Sequence, residues 1–65
     1  MKIKAWGIEQ AVLGADIHYF YWFASKEARD EYYEKHEYCD KIRCRMVDTD
    51  DVIVYNDYED WANRH

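Results

Sequence analysis

Five aromatic residues stand in a row at Tyr19-Phe20-Tyr21-Trp22-Phe23, flanked by Ile17, His18 and Ala24, and no other stretch constrains the fold as much. Aromatic bulk packs well on a pleated, half-buried surface, so the run predicts a central strand over 17–24. Successive strand residues point to opposite faces. One face then carries Phe20, Trp22 and Ala24, and the other Ile17, Tyr19, Tyr21 and Phe23. Both faces are apolar, so covering one leaves an aromatic row open to a partner.

A chain of 65 residues makes one domain, of a size that buries only about 60% of the surface its unfolded form exposes. Ordering costs roughly 1.5 kcal/mol per residue, which hydrophobic burial must offset almost alone. Seven Tyr, three Trp and two Phe supply the area. The absence of Pro, with only Gly7 and Gly14, leaves few irregular segments.

Imperfect alternation over 2–9 suggests a first strand, in which Gly7 marks a bulge or a close approach. Gln10 to Asp16 reads as a connection tucked against the core, turning at Gly14 to Asp16. Ser25 is placed to cap a helix over 26–39, and Glu27 suits the positive end of its dipole. At 100° per residue Ala28, Tyr32 and Cys39 share one face, with His36 at its edge. Two of those residues are small, which leaves room for Trp22 or Phe20 beneath them. Alternation returns over 41–47, Asp48 to Asp51 forms a polar turn, and 52–56 is strand-like, so Ile42 to Tyr55 reads as a hairpin. A short C-terminal helix over 58–64 follows, capped by Asn56 or Asp57. The fold class is α+β: order ββαββ, a four-stranded sheet, and one main helix on one face. A helix of that length carries the chain back, so the second and third strands are expected to be parallel and not hairpin partners.

The formal net charge is −5, and it is uneven. Residues 1–26 hold three Lys against Glu9 and Asp16, whereas residues 27–65 hold six basic and twelve acidic side chains. On the helix, Glu27, Asp30, Glu31, Glu34 and Glu37 gather opposite the core stripe. Glu27 with Glu31, and Asp30 with Glu34, are like-charge pairs that each weaken a helix by a few tenths of a kcal/mol. Selection for helix stability alone alternates signs, so the face is a candidate partner surface. A second block, Asp48, Asp50, Asp51, Asp57, Glu59 and Asp60, contains no basic residue. Such surfaces attract basic proteins and repel nucleic acid and anionic lipid.

Rival chemistries lack parts. Cys39 and Cys44 with His36 would need a fourth placed ligand to hold zinc. An EF-hand counted from Asp48 puts Val52 and Ile53 where an oxygen ligand and a turn glycine belong. Lys2, Lys4, Arg43 and Arg45 beside Tyr19 and Tyr21 offer a way to stack and neutralise single-stranded nucleic acid on the open sheet face, against which the net charge weighs. No nucleophile–base spacing recommends catalysis, and the chain leaves little volume for a substrate pocket. The chain is expected to be non-enzymatic, without metal or cofactor. The N-terminal stretch lacks the apolar run of a signal peptide, and no segment approaches membrane-spanning length, which points to the cytoplasm.

Acid runs such as Glu27-Ala28-Arg29-Asp30-Glu31 and Asp57-Tyr58-Glu59-Asp60, in a very short aromatic-rich domain, make the whole chain similar in type to small bacteriophage-encoded inhibitors of the anti-CRISPR and anti-restriction kinds. That resemblance implies a DNA-like acidic surface offered to a nucleic-acid-handling protein in a host cytoplasm. The expected partner is thus a basic protein, contacted through the two acidic blocks with Tyr19 and Tyr21 as anchors. The alternatives are a single-stranded nucleic-acid binder and a structural homodimer that buries the Tyr19 and Tyr21 row.

Overall fold

A computed structural model describes residues 1–65. Its elements in chain order are β1 (Lys2–Ala11), β2 (His18–Phe23), α1 (Lys26–Lys35), β3 (Cys39–Asp48), β4 (Val54–Tyr55) and α2 (Tyr58–Arg64). The four strands form one sheet in the order β3-β1-β2-β4. β1 lies antiparallel to both β2 and β3, so β2 and β3 are parallel and separated by β1. The α+β class, the ββαββ order and the short C-terminal helix are those expected from the sequence.

The polypeptide alternates as a strand must, and this decides the two faces. Ile8, Phe23 and Tyr55 point to one side, where Ala28 and Tyr32 of α1 close over them as the main core. Tyr21, Tyr58 and Trp61 pack against the same cluster, so α2 lies on that side too. The opposite side carries Ala5, Trp22 and Val47, with Ile3, Ile42, Val52 and Val54 around them. Helix α1 therefore covers the Tyr21 and Phe23 face, and the Phe20 and Trp22 face is the one left without a helix. This reverses the expectation that Trp22 or Phe20 sits beneath the helix and that the Tyr19 and Tyr21 row stays open. The reason is volume: the ring of Tyr32 fills the space beside Phe23, with centroids 5.8 Å apart, and the small Ala28 lets the helix approach.

The hairpin expected over Ile42 to Tyr55 does not form. β3 and β4 lie at opposite edges, and β4 pairs in parallel with β2 through Trp22↔Val54 and Phe23↔Tyr55. The chain between them must cross the helix-free face. Val52 packs there against the Ala5, Trp22 and Val47 cluster, and this apolar contact takes the place of a hairpin ladder. Residues 49–53 thus form a strap over one half of that face.

Three smaller differences have local causes. β1 runs on to Ala11, and Leu13 beyond it is 75% exposed rather than tucked against the core. Helix α1 stops at Lys35, short of Cys39, because His36 is extended at φ −125° and ψ 147°. Tyr38 follows at φ 61°, a conformation held by Gln10, whose Nε2 donates to the carbonyls of Glu37 and Ala11, both at 2.9 Å. Between Ala5↔Arg45 and Gly7↔Ile42 the β1–β3 register shifts, so that Trp6 stands opposite both Arg43 and Cys44. That is the bulge anticipated at Gly7, and Gly7 is also the close approach: a Cβ there would stand 2.6 Å from Ile42 Cδ1 and 2.9 Å from Trp22 Cζ3. Neither helix is long and apolar enough to cross a membrane.

Candidate functional site

The acidic residues divide sharply by what they touch. On α1, Asp30 accepts from Arg29 Nε at 2.7 Å and lies 3.4 Å from Lys41 Nζ and 3.9 Å from Lys26 Nζ. The Arg29 hydrogen bond, chiefly, holds its carboxyl below the usual carboxylate range. Glu31 pairs with Lys35 at 2.7 Å, in the favourable i,i+4 orientation. Glu27 and Glu34 are exposed and take part in none of these pairs. Glu37 is exposed as well, in the loop behind the helix. Spaced at 27, 31 and 34, three glutamates form one line along α1, since residues three and four apart are neighbours on a helix.

The second block is largely used up by the fold. Asp48 accepts from the Asp50 amide at 3.0 Å and from the Met1 amino group at 3.1 Å, and those bonds, the amide first, lower its pKa. Asp57 is the N-cap of α2 and accepts from the Asp60 amide at 2.8 Å. Asp60 reaches back to the Asn56 amide at 3.0 Å and accepts from Arg64 Nε at 3.1 Å. The amide bond, mainly, lowers its pKa. Asp50, Asp51 and Glu59 remain exposed, with Asp50 3.6 Å from the Met1 amino group. The structure therefore separates the two blocks: half of the second one closes a turn and caps a helix.

The tyrosines also part. Tyr19 is 50% exposed and free for contact. Tyr21 is partly buried, with its ring 5.5 Å from Trp61, 5.4 Å from His65 and 5.6 Å from Tyr32, so α2 covers it. This aromatic cluster extends through Tyr32, whose hydroxyl donates to Gln10 Oε1 at 2.7 Å and whose phenol is pushed well up by burial. His36 stacks on Tyr32 at 4.0 Å, with its Nε2 2.9 Å from the Tyr58 hydroxyl. Burial lowers the His36 pKa. Cys39 Sγ lies 3.5 Å from the His36 carbonyl, and no three His, Cys, Asp or Glu side chains converge as metal ligands.

On the helix-free face, beside the strap, a groove of about 480 Å³ is lined by Phe20, Trp22, Ile42, Arg43 and Arg45. Phe20 is 56% exposed, and the Arg45 guanidinium lies over the Trp22 ring at 4.7 Å. The four basic residues grouped by the sequence are split: Arg43 and Arg45 line this groove, whereas Lys2 and Lys4 alternate with Ile3 and Ala5 and so project to the other side. The two arginines meet Phe20 and Trp22, not Tyr19 and Tyr21. Sequence reasoning placed both arginines on an open face but paired them with the wrong aromatic row. The signal that separates the rows is which one has room for Tyr32, and that is a property of packing. No protein-family model, curated protein or solved structure matches the chain.

Proposed function

We propose that the protein is a non-enzymatic binding module whose acidic α1 surface occupies the basic, nucleic-acid-binding surface of another protein and so inhibits it. One observation carries this reading: Glu27 and Glu34 stand exposed on α1, with Glu37 behind them, and no lysine or arginine of the chain pairs with them. Glu27 gains from the dipole in the first turn, but Glu34 stands near the other end, where an acid is unfavourable, and α1 neutralises only Asp30 and Glu31. Tyr33 and Tyr38, 40% and 59% exposed, flank this surface and can supply the desolvated contacts that carry binding energy, while the acids steer encounter. The Asp48 to Asp60 block contributes through Asp50, Asp51 and Glu59, its members that neither close the turn nor hold the start of α2.

The test is capture of nucleic-acid-handling proteins from bacterial lysate on immobilised protein, with elution by rising salt and by heparin. Retention should fall with salt, as expected for exposed charges. The variant combining Glu27→Lys with Glu34→Lys should lose capture, and its fold can be checked by circular dichroism. Equal capture by wild type and variant would remove the helix face from the interaction.

A further inference from the structure

The helix-free face carries its charges in two separated groups, and each keeps members without an ion-pair partner in the chain. At the end where β1 finishes, Glu9 and Asp40 are direct cross-strand partners on this face, a like-charge pairing that destabilises a sheet. His18 Nδ1 lies 3.0 Å from Glu9 Oε2, which leaves Asp40 exposed and without a partner. Towards the strap, Arg43 and Arg45 line the groove and form no ion pair, in a chain with fourteen acidic residues. Asp40 and Arg45 stand opposite Glu9 and Ala5, four residues apart on β1 or about 13 Å at the usual strand rise, too far to meet each other.

The geometry points to a second copy of this chain as the occupant of the groove, stacked face to face about a two-fold axis that crosses the strands at the level of Gly7 and Ile42. Those two residues pair with each other midway between the acidic and basic groups. Reversing the strand direction there lays Arg45 of each protomer over Asp40 of its partner, so one operation satisfies both groups twice. Such an interface is isologous, the same patch serving both subunits. Shape agrees with charge. The strap crosses only one half of the face, at Val52, and the axis seats each strap on the half of its partner that carries none. Phe20, half exposed in the monomer, is then desolvated beside the already buried Trp22. This interface lies on the side of the sheet away from α1, so it stands independently of what the acidic helix binds. It would give that function two acidic helices, one on each outer side.

Charge exchange tests the arrangement, read by sedimentation equilibrium at low salt from low to high micromolar protein. Wild type should approach twice the monomer mass. Asp40→Arg and Arg45→Asp should each weaken association by about tenfold or more, because each sets like charges against each other. The double variant should regain it, since every pair is reversed in both protomers. Asp40→Arg also relieves the Glu9 repulsion inside the monomer, so its thermal stability should hold or rise, which separates loss of the dimer from misfolding. A wild type that stays monomeric throughout, or a double variant no tighter than the single ones, overturns the proposal. So does a monomer that binds a single-stranded oligonucleotide through Arg45, which would assign the groove to nucleic acid.

Discussion

His36 shows how one side chain ties stability to pH. It leaves the helix so that its ring can stack on Tyr32 and meet the Tyr58 hydroxyl, under Trp61 at 5.0 Å. Burial there lowers its pKa below the value it has in the unfolded chain. The unfolded state then binds the proton more readily, so the stabilisation is complete above the ordinary histidine range near ~6.5 and is lost as pH falls below it. Thermal melts at about pH 7.5 and 5.5 should show a drop in Tm that His36→Phe reduces, since Phe keeps the stack and cannot titrate. A drop in Tm that is equally large in His36→Phe would remove His36 as its cause. The two glycines differ in kind. At Gly7 an added methyl meets Ile42 and Trp22, and Gly7→Ala should cost about 1–3 kcal/mol by overpacking in a denaturant melt. At Gly14 there is open space but φ is +82°, so Gly14→Ala should cost about 1 kcal/mol through backbone strain alone.

Elements here end where side chains from elsewhere hold them. Ser25 caps α1 by accepting from the Ala28 amide at 3.1 Å, a start that its position ahead of a helix-tolerant run already announces. The other end is set by Gln10 of β1, which grips the carbonyls of Glu37 and Ala11 and receives Tyr32, and nothing local to residues 35–39 foretells it. Arg29 joins α1 to the bulged strand. It is only 7% exposed, and besides Asp30 it donates from Nη1 to the Ile42 carbonyl at 3.2 Å. Periodicity assigns no role to an arginine there, because its acceptor, the Ile42 carbonyl, is brought to it only by the packing of α1 on β3. Arg29→Ala should cost about 1–3 kcal/mol, since it strips partners from a part-buried carbonyl and carboxylate. Arg29→Lys should recover only part of that loss, because an ammonium lacks the fork that reaches both acceptors. Equal stability of Arg29→Ala and wild type in urea would show the contact to be incidental.

For the whole molecule, the long dimension of 36 Å is that of the ten-residue strands β1 and β3, and both helices lie on one side of the sheet they build. The proposed interactions use opposite sides: exposed glutamates on α1 for a basic protein, and the Phe20 and Trp22 face for a second copy. Both therefore can be occupied together, and dimerisation should leave the salt-sensitive capture intact, which a pull-down with the Arg45→Asp monomer measures directly. What was legible in the sequence rests on short-range physics. Alternation and aromatic bulk mark β2, a serine cap and helix-tolerant residues mark α1, and an Asp cap marks α2, because each is decided within a turn or a strand of its own neighbours. The charge excess after residue 26 was equally plain, since counting needs no structure. Which acids remain free was not, because capping by Asp57 and Asp60 and pairing by Asp30 depend on where amides and cations end up. Nor was the choice between two aromatic faces of one strand. Both faces of β2 repeat with the same period and similar hydrophobicity, so only the fit of Tyr32 beside Phe23, and the strap that crosses to pair β4 with β2, decided which row is core and which is surface.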